Sequence, residues 1–391
     1  MKIFNFLIFL ILIIFPFGQL TRLPLGIPEV NIYLQDLVVF VLLTAWFLHH
    51  LIIKKPFPKP FLTKPIIYYF LAAAISLIYN LPRLEVRETI IASLYLWRWI
   101  FYAGVYFVVF DYYETVLPGN TKRFRMGLIY AGVTAAVFGL IQYFLYPDLR
   151  NLAYLGWDPH RYRVFGTFFD PGFLGIILVL TLILLIEFLF SHKFAIYYLL
   201  FTICYLALAL TYSRSSYLAW IAAIGVIAWI KKAPKFFLTV FLLGILTIFL
   251  LPRPPGSEGV KLEREESIWG RVRNWEQSIT IAKDNPILGV GLNTYRYAQK
   301  QYGFLSEDNW QKSHAGAGAD SSLLFVLATT GIIGFLAYLW LLYHILIYNI
   351  RNPVVFSSIV ALLIHSWFLN SLFYPWIMIW MWILVAVKER K

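Results

Sequence analysis

Apolar segments recur along the chain at about residues 3–20, 30–53, 66–80, 89–110, 127–146, 172–190, 194–211, 215–230, 235–251, 320–348, 354–370 and 375–387. They are too long and too many for the core of a water-soluble fold. The pattern predicts an all-α integral membrane protein with about twelve transmembrane helices. Spans one to nine occupy residues 1–251, a single long loop occupies 252–319, and spans ten to twelve occupy 320–391. The last segments are short, as tilted or re-entrant helices are. The start, MKIFNFLIFLILIIFPFG, has the lysine and apolar run of a secretory signal but no small-x-small cleavage site after it, so it reads as the first span.

The long loop has structure of its own. After the proline cluster LPRPPG, the stretch SIWGRVRNWEQSITIAKDNP sets Ile268, Val272, Trp275, Ile279 and Ala282 at helical spacing and stops at Pro286. An amphipathic helix of this kind lies on a bilayer surface or lids an outward-facing site, with Arg271 and Arg273 on or beside its polar face.

Charge fixes an orientation. If the spans alternate from an inner N-terminus, the inner loops and tails hold Lys2, Lys54, Lys55, Lys59, Lys64, Lys122, Arg123, Arg125, Lys193, Lys231, Lys232, Lys235, Arg351, Lys388, Arg390 and Lys391. The short outer loops hold Arg22, Arg83, Arg87, Arg150, Arg161, Arg163 and Arg214. The excess predicts both termini in the cytoplasm and the long loop outside. The net charge of +13 is thereby explained by topology, and nucleic acid is set aside as a partner. The seven basic residues of the short outer loops are all arginine whereas the inner ones are mostly lysine. Planar guanidinium suits phosphate, although chance and the tolerance of arginine at interfaces give the same pattern. With one cysteine, Cys204, neither an intrachain disulfide nor a cysteine metal site can form.

Ionisable residues inside spans are costly and usually functional. Asp36 lies six residues from the outer end of span two, Arg98 roughly 14 Å from the outer end of span four at 1.5 Å per residue, and His365 near the outer end of span eleven. They point to an outward-opening cavity, or, for Asp36 and Arg98, to an ion pair that ties two helices. No Asp-x-Asp pair occurs, so no such pair is there to hold a metal on a diphosphate; no metal or other cofactor is expected.

Four pieces in order resemble the O-antigen ligase and O-antigen polymerase superfamily: RVFGTFFDPGFLG, LTYSRSSYLAW with Arg214, GRVRNWEQSITIAKDNPILGVGLNTY with Arg271, and ADSSLLFVLATTGIIG. The resemblance implies a metal-independent glycosyltransferase in the bacterial inner membrane, with its active site facing the periplasm. The donor would be a glycan on undecaprenyl diphosphate, and the acceptor a hydroxyl of a glycan or glycolipid: lipid A core oligosaccharide for a ligase, another lipid-linked glycan for a repeat-unit polymerase. Arg214 and Arg271 then match the family's arginines and form the diphosphate clamp, with Arg163 and Arg273 as further candidates. The ligase pattern sets a His-Asn pair before Thr-Gly-x-x-Gly, the His eleven residues ahead of the Gly. Here that position is Asp320, followed by Ser321, and His314 falls six residues early. Asp320 is either the base, an N-cap of span ten, or both; His314 is a second candidate base or a solvated loop histidine. A lipid-linked oligosaccharide flippase could use the same arginines, but alternating access needs comparable polar groups on the inner side. A scaffold for envelope assembly would need none of them.

Overall fold

The computed structural model describes residues 2–27, 29–118, 120–191, 194–305, 310–311 and 318–387. His314 lies outside the described residues, as do Lys193, Lys388, Arg390 and Lys391. The described residues form fourteen α-helices and no named β-strand. They are α1 (Lys2–Ile14), α2 (Leu34–Ile52), α3 (Thr63–Asn80), α4 (Val86–Val116), α5 (Thr121–Leu145), α6 (Pro171–Ser191), α7 (Ala195–Ala209), α8 (Arg214–Lys231), α9 (Pro234–Leu250), α10 (Glu266–Asp284), α11 (Tyr295–Gln301), α12 (Ser322–Asn349), α13 (Pro353–His365) and α14 (Pro375–Ala386).

Each of the twelve apolar segments carries a helix, and α10 and α11 fall in the long loop. Seven helices are long and apolar enough to cross a membrane by length and composition: α1 with its 3-10 extension, α2, α3, α4, α5, α6 and α12. The helices α7, α9, α13 and α14 are apolar but shorter. The shortest of them, α14, is buried along its whole length. A helix hydrophobic all round belongs inside a bundle. It packs on α4, and its Trp380 and Trp382 reach Phe15 and Tyr106. Outward-facing Phe47, Trp97, Phe144, Trp229 and Phe249 are exposed, as a hydrocarbon solvent allows.

Two polar devices hold the end of the bundle away from α10. Asp111 accepts from Trp46 Nε1 at 3.1 Å and Lys55 Nζ at 2.9 Å, and lies 3.0 Å from His50 Nε2, tying α2 to α4. Arg125 pairs with Glu187 between α5 and α6. Asp111 was not expected as a polar site, because its neighbours in the chain are uniformly apolar or aromatic.

The feature that positions the functional end is a break in α12. Gly331 has φ 61° and ψ −167°, which interrupts the helical hydrogen bonds. The segment 286–291 of the long loop docks there: Val290 and Gly291 donate to the carbonyls of Ala328 and Thr329 at 3.1 and 2.9 Å, while Ile332 donates to Pro286 O at 2.9 Å. From α3, Ser76 Oγ donates to Leu288 O and Thr329 O at 2.6 and 2.8 Å. Irregular backbone at membrane depth is tolerated only where protein satisfies it in this way. A Cβ on Gly331 would lie 2.2 Å from Ile287 O, and one on Gly289 2.4 Å from Thr329 C, so both positions require glycine. The docked segment follows α10 directly and fixes that helix against α12.

α10 buries Ser278, Ile281 and Ala282 and leaves Ile268, Trp269 and Ile279 exposed. Its apolar surface is therefore shared between the protein and the outside. Of the expected apolar stripe, only Ala282 is fully buried.

Candidate active site

A cavity of about 280 Å³ opens at the end of the bundle that carries α10. Its walls include Arg98 from α4, Asp158 and Asp170 from the loop before α6, Asp320 from the residues before α12, and Asn370 and Tyr374 from the turn before α14. Four separated stretches of sequence thus meet around one space.

Asp320 is placed by its backbone: its N–H donates to Asn274 Oδ1 on α10 at 2.7 Å. It does not cap α12. That role belongs to Ser321, whose extended backbone precedes the helix and whose side chain accepts from Leu324 N at 3.4 Å. The Asp320 carboxylate accepts no hydrogen bond from a described residue. Burial pushes it up to about 6, Arg271 opposes that shift, and Asp158 and Asp170 add to it.

Asp170 caps α6, its Oδ1 accepting from Gly172 N at 2.6 Å and Phe173 N at 2.9 Å. Burial raises its carboxyl, against those two bonds and the pull of Arg163 and Arg271. Asp158 is pushed up to about 6 by burial and by Asp170. It is the most solvent-open of the three, so water screens it most, and the firmer shift is that of Asp320.

Four arginines cluster nearby, and two of them, Arg163 and Arg271, act on the carboxylates. Arg163 donates through Nε to Thr211 O at 2.8 Å and through Nη2 to Tyr212 O at 3.3 Å. It thereby satisfies carbonyls left free where α7 ends. Arg214, the first residue of α8, donates through Nη1 to Leu262 O and Arg264 O at 3.1 and 3.2 Å, and through Nη2 to Ser267 Oγ. Arg264 donates to Gly259 O and Lys261 O at 2.8 and 2.7 Å. Arg271 hydrogen-bonds to no described residue; its guanidinium lies 5.8 Å from the centre of the Phe368 ring. Burial, then the neighbouring guanidinium groups, lower Arg163 to about 9 and Arg264 to about 10. Burial lowers Arg271 as well, with Asp320 and Asp170 opposing. Positive charge crowded in this way is relieved by an anion.

The other expected residues lie as follows. Arg98 grips Asp36 with both arms, Nε to Oδ1 at 3.0 Å and Nη2 to Oδ2 at 2.8 Å, and Tyr102 donates to the same carboxylate at 2.8 Å. The ion pair between α2 and α4 exists, and its arginine also lines the cavity. His365 is fully buried behind the site, with Nδ1 2.6 Å from Ser371 Oγ and Nε2 3.3 Å from Ser216 Oγ; it does not line the cavity. Arg273 is exposed on α10. Sequence reasoning did not single out Arg264, Asn274, Asp158 or Asp170. The two aspartates had one available signal, for each begins an Asp-Pro pair in the same loop.

Asp158, His160 and Asp170 place one ligand atom each within 4.8 Å of one another, so they could hold a divalent cation. The surroundings disfavour it. Burial, Arg163 and Arg264 hold His160 well below its usual range, so the ring is neutral. Arg163 Nη1 lies 3.5 Å from Nδ1, so a guanidinium charge stands where a cation on that nitrogen would have to sit.

A bundle of apolar helices with a charged cavity at one end fits a multi-pass membrane protein with a polar pocket at one end of its bundle. Residues 197–339 match the family model described as O-antigen ligase, which supports the O-antigen ligase and polymerase superfamily for this stretch. The match spans α7 to the middle of α12 and contains Arg214, Arg264, Arg271, Arg273 and Asp320. No curated protein matches the chain. The match supports glycosyltransferase-like activity of ligase or polymerase type on lipid-linked glycans at a membrane.

Proposed function

We propose that the protein transfers a glycan from undecaprenyl diphosphate to a hydroxyl acceptor, without a metal, at the outer face of the bacterial inner membrane. Both termini are cytoplasmic in this reading, and the cavity opens to the periplasm. The observation that carries it is the electrostatic pairing of a carboxyl poised near 6, which lines the cavity, with an arginine that hydrogen-bonds to no described residue: Asp320 and Arg271.

The acceptor hydroxyl enters beside Asp320, which takes its proton as the oxygen attacks the anomeric carbon. The bond from that carbon to the donor diphosphate breaks, and the released diphosphate keeps the electron pair. Arg271 holds the charge that develops there, supported by Arg214, whose Nε makes no hydrogen bond to a described residue, and by the field of Arg163 and Arg264. The proton on Asp320 leaves to water through the open cavity. Raised carboxyls suit a base that must hold and release a proton near neutral pH.

A ligase uses a core oligosaccharide on lipid A as acceptor, and a polymerase uses a second lipid-linked glycan. Reconstitution in vesicles with a lipid-linked oligosaccharide and each acceptor in turn tests the proposal. Transfer to either acceptor supports it; transbilayer movement of the donor with no transfer contradicts it.

A further inference from the structure

The cavity has a second end, set by Arg98 of α4 and by Asn31 just ahead of α2. Among the described residues its charged lining is Arg98, Asp158, Asp170 and Asp320; the four clustered arginines do not line it. The charges that act on Asp320 are those of Arg271, Asp158 and Asp170, and Arg98 is not one of them, so Asp320 and Arg98 stand apart across the space. Arg98 is fixed by its surroundings. Beyond its two bonds to Asp36, Nη2 donates to Asn31 O, and the guanidinium lies 4.7 Å from the centre of the Tyr95 ring and 5.6 Å from that of Tyr33. Asp36 is fixed in turn by Tyr33 N and the Tyr102 hydroxyl, both at 2.8 Å.

What this network leaves over is specific. Arg98 Nη1 makes no hydrogen bond to a described residue, and neither does the side-chain amide of Asn31, whose Oδ1 is buried. Ordered donors and a buried acceptor without partners are costly in an empty site and favourable in a filled one. Tyr95, Trp157, Phe169 and Phe173 supply aromatic wall beside them. Fixed polar groups among rings suit a ligand with an apolar face and a polar rim, and a pyranose has both, in its C–H faces and its belt of hydroxyls. The charge balance narrows the choice. Asp36 neutralises Arg98, and the rest of the charged lining is acidic, so a sugar carboxylate or phosphate would meet three carboxylates and a guanidinium already paired. In the transferase reading, the arginines that act on those carboxylates are taken up by the donor diphosphate.

We propose that the end of the cavity carrying Arg98 and Asn31 is a sugar subsite that selects an uncharged ring, with Arg98 Nη1 donating to a ring oxygen substituent and the Asn31 amide pairing with its neighbour. That this sugar is the acceptor rests on the transferase reading; the preference for an uncharged ring rests on the lining alone. Arg98 and Asn31 are then specificity-determining residues, both outside the stretch 197–339 that the family model matches.

The test is saturation-transfer NMR on the full chain in nanodiscs, with the methyl glycosides of glucose, galactose, mannose and N-acetylglucosamine, and of glucuronic and galacturonic acid. Saturation of the ring C–H protons of a neutral glycoside, with its matched uronide bound about tenfold more weakly, supports the proposal. Binding of no neutral glycoside, or uronide binding as tight as the neutral match, overturns it. Asn31→Ala should weaken the neutral glycoside about fivefold, the scale of one hydrogen bond, without moving the melting temperature, since that amide bonds to no described residue. Unchanged binding in Asn31→Ala overturns the proposal. Asp36→Asn keeps an acceptor oxygen for Tyr33 N and leaves the Arg98 charge unpaired, so the uronide should gain on the neutral glycoside; an unchanged ratio overturns the charge argument. Glycoside binding does not depend on turnover. Binding without glycan transfer in the vesicle assay would sink the transferase reading and leave the subsite standing, and transfer with no glycoside binding would do the reverse.

Discussion

Asn274 Oδ1 accepts the backbone N–H of Asp320 at 2.7 Å, three residues along α10 from Arg271. One helix therefore carries both the arginine and the clamp that holds the carboxylate opposite it. Asn274→Ala removes the clamp and leaves both reacting groups. Turnover should fall by about tenfold through misplacement of Asp320, with little change in thermal stability. Initial rates beside a melting curve check it, and unaltered turnover would mean that the bond positions nothing.

Arg271 should tolerate lysine better than alanine. Arg271→Ala should cost about a hundredfold in turnover, the scale of one lost donor at a developing anion, and Arg271→Lys less, because the charge remains. Transfer should also survive EDTA. Loss with EDTA and recovery with magnesium would reassign the site to the Asp158, His160 and Asp170 trio.

The pH profile has a fixed sign. A base works when deprotonated, so the rate should rise with pH through about 6, the position to which burial and like charge bring Asp320. Asp158→Asn removes one negative neighbour, which lowers the pKa of Asp320 and moves the rising limb to lower pH. A limb that stays put or moves up would show that the two carboxyls do not interact.

Gly331→Ala should destabilise the protein, since the position has φ 61° and its Cβ would overlap Ile287 O. The cost is at least about 1 kcal/mol from the backbone conformation alone, a positive φ with extended ψ that is essentially confined to glycine. The melting temperature in detergent should drop, and labelling of a reporter on α10 should increase as segment 286–291 undocks. An unchanged melting curve would mean that the break in α12 carries no constraint.

Topology is tested with single cysteines in a Cys204→Ser background. Pro58→Cys and Ala233→Cys should be shielded from an impermeant thiol reagent in intact cells, and Glu258→Cys should react. The opposite pattern would put the cavity in the cytoplasm.

The helices were legible because apolar runs announce themselves, and all twelve segments contain one. The site was legible where a residue stood at the edge of such a run. Asp320 stands ahead of α12 and Arg271 lies on the periodic pattern of α10. A one-residue ambiguity remained at the cap, because Asp320 and Ser321 both suit it, and only backbone geometry assigns it to Ser321. Asp158 and Asp170 lie some 150 residues from Asp320 in the chain, and no local pattern reports that they share its cavity. Arg163 and Arg214 were visible as arginines, but their bonds to loop carbonyls depend on tertiary contacts. The break at Gly331 was present in the sequence only as a Thr-Gly pair.

Asp320→Asn, assayed for glycan transfer in reconstituted vesicles, tests the chemistry most directly. Ser321 caps α12, so the substitution leaves the helix start intact, and Asn keeps an acceptor oxygen in nearly the same shape while losing basicity. Turnover should fall by about a hundredfold or more, with melting temperature and donor binding unchanged. Near-full turnover in this variant would contradict the assignment of Asp320 as the base. The same result together with loss of activity in His314→Ala would move that role to His314.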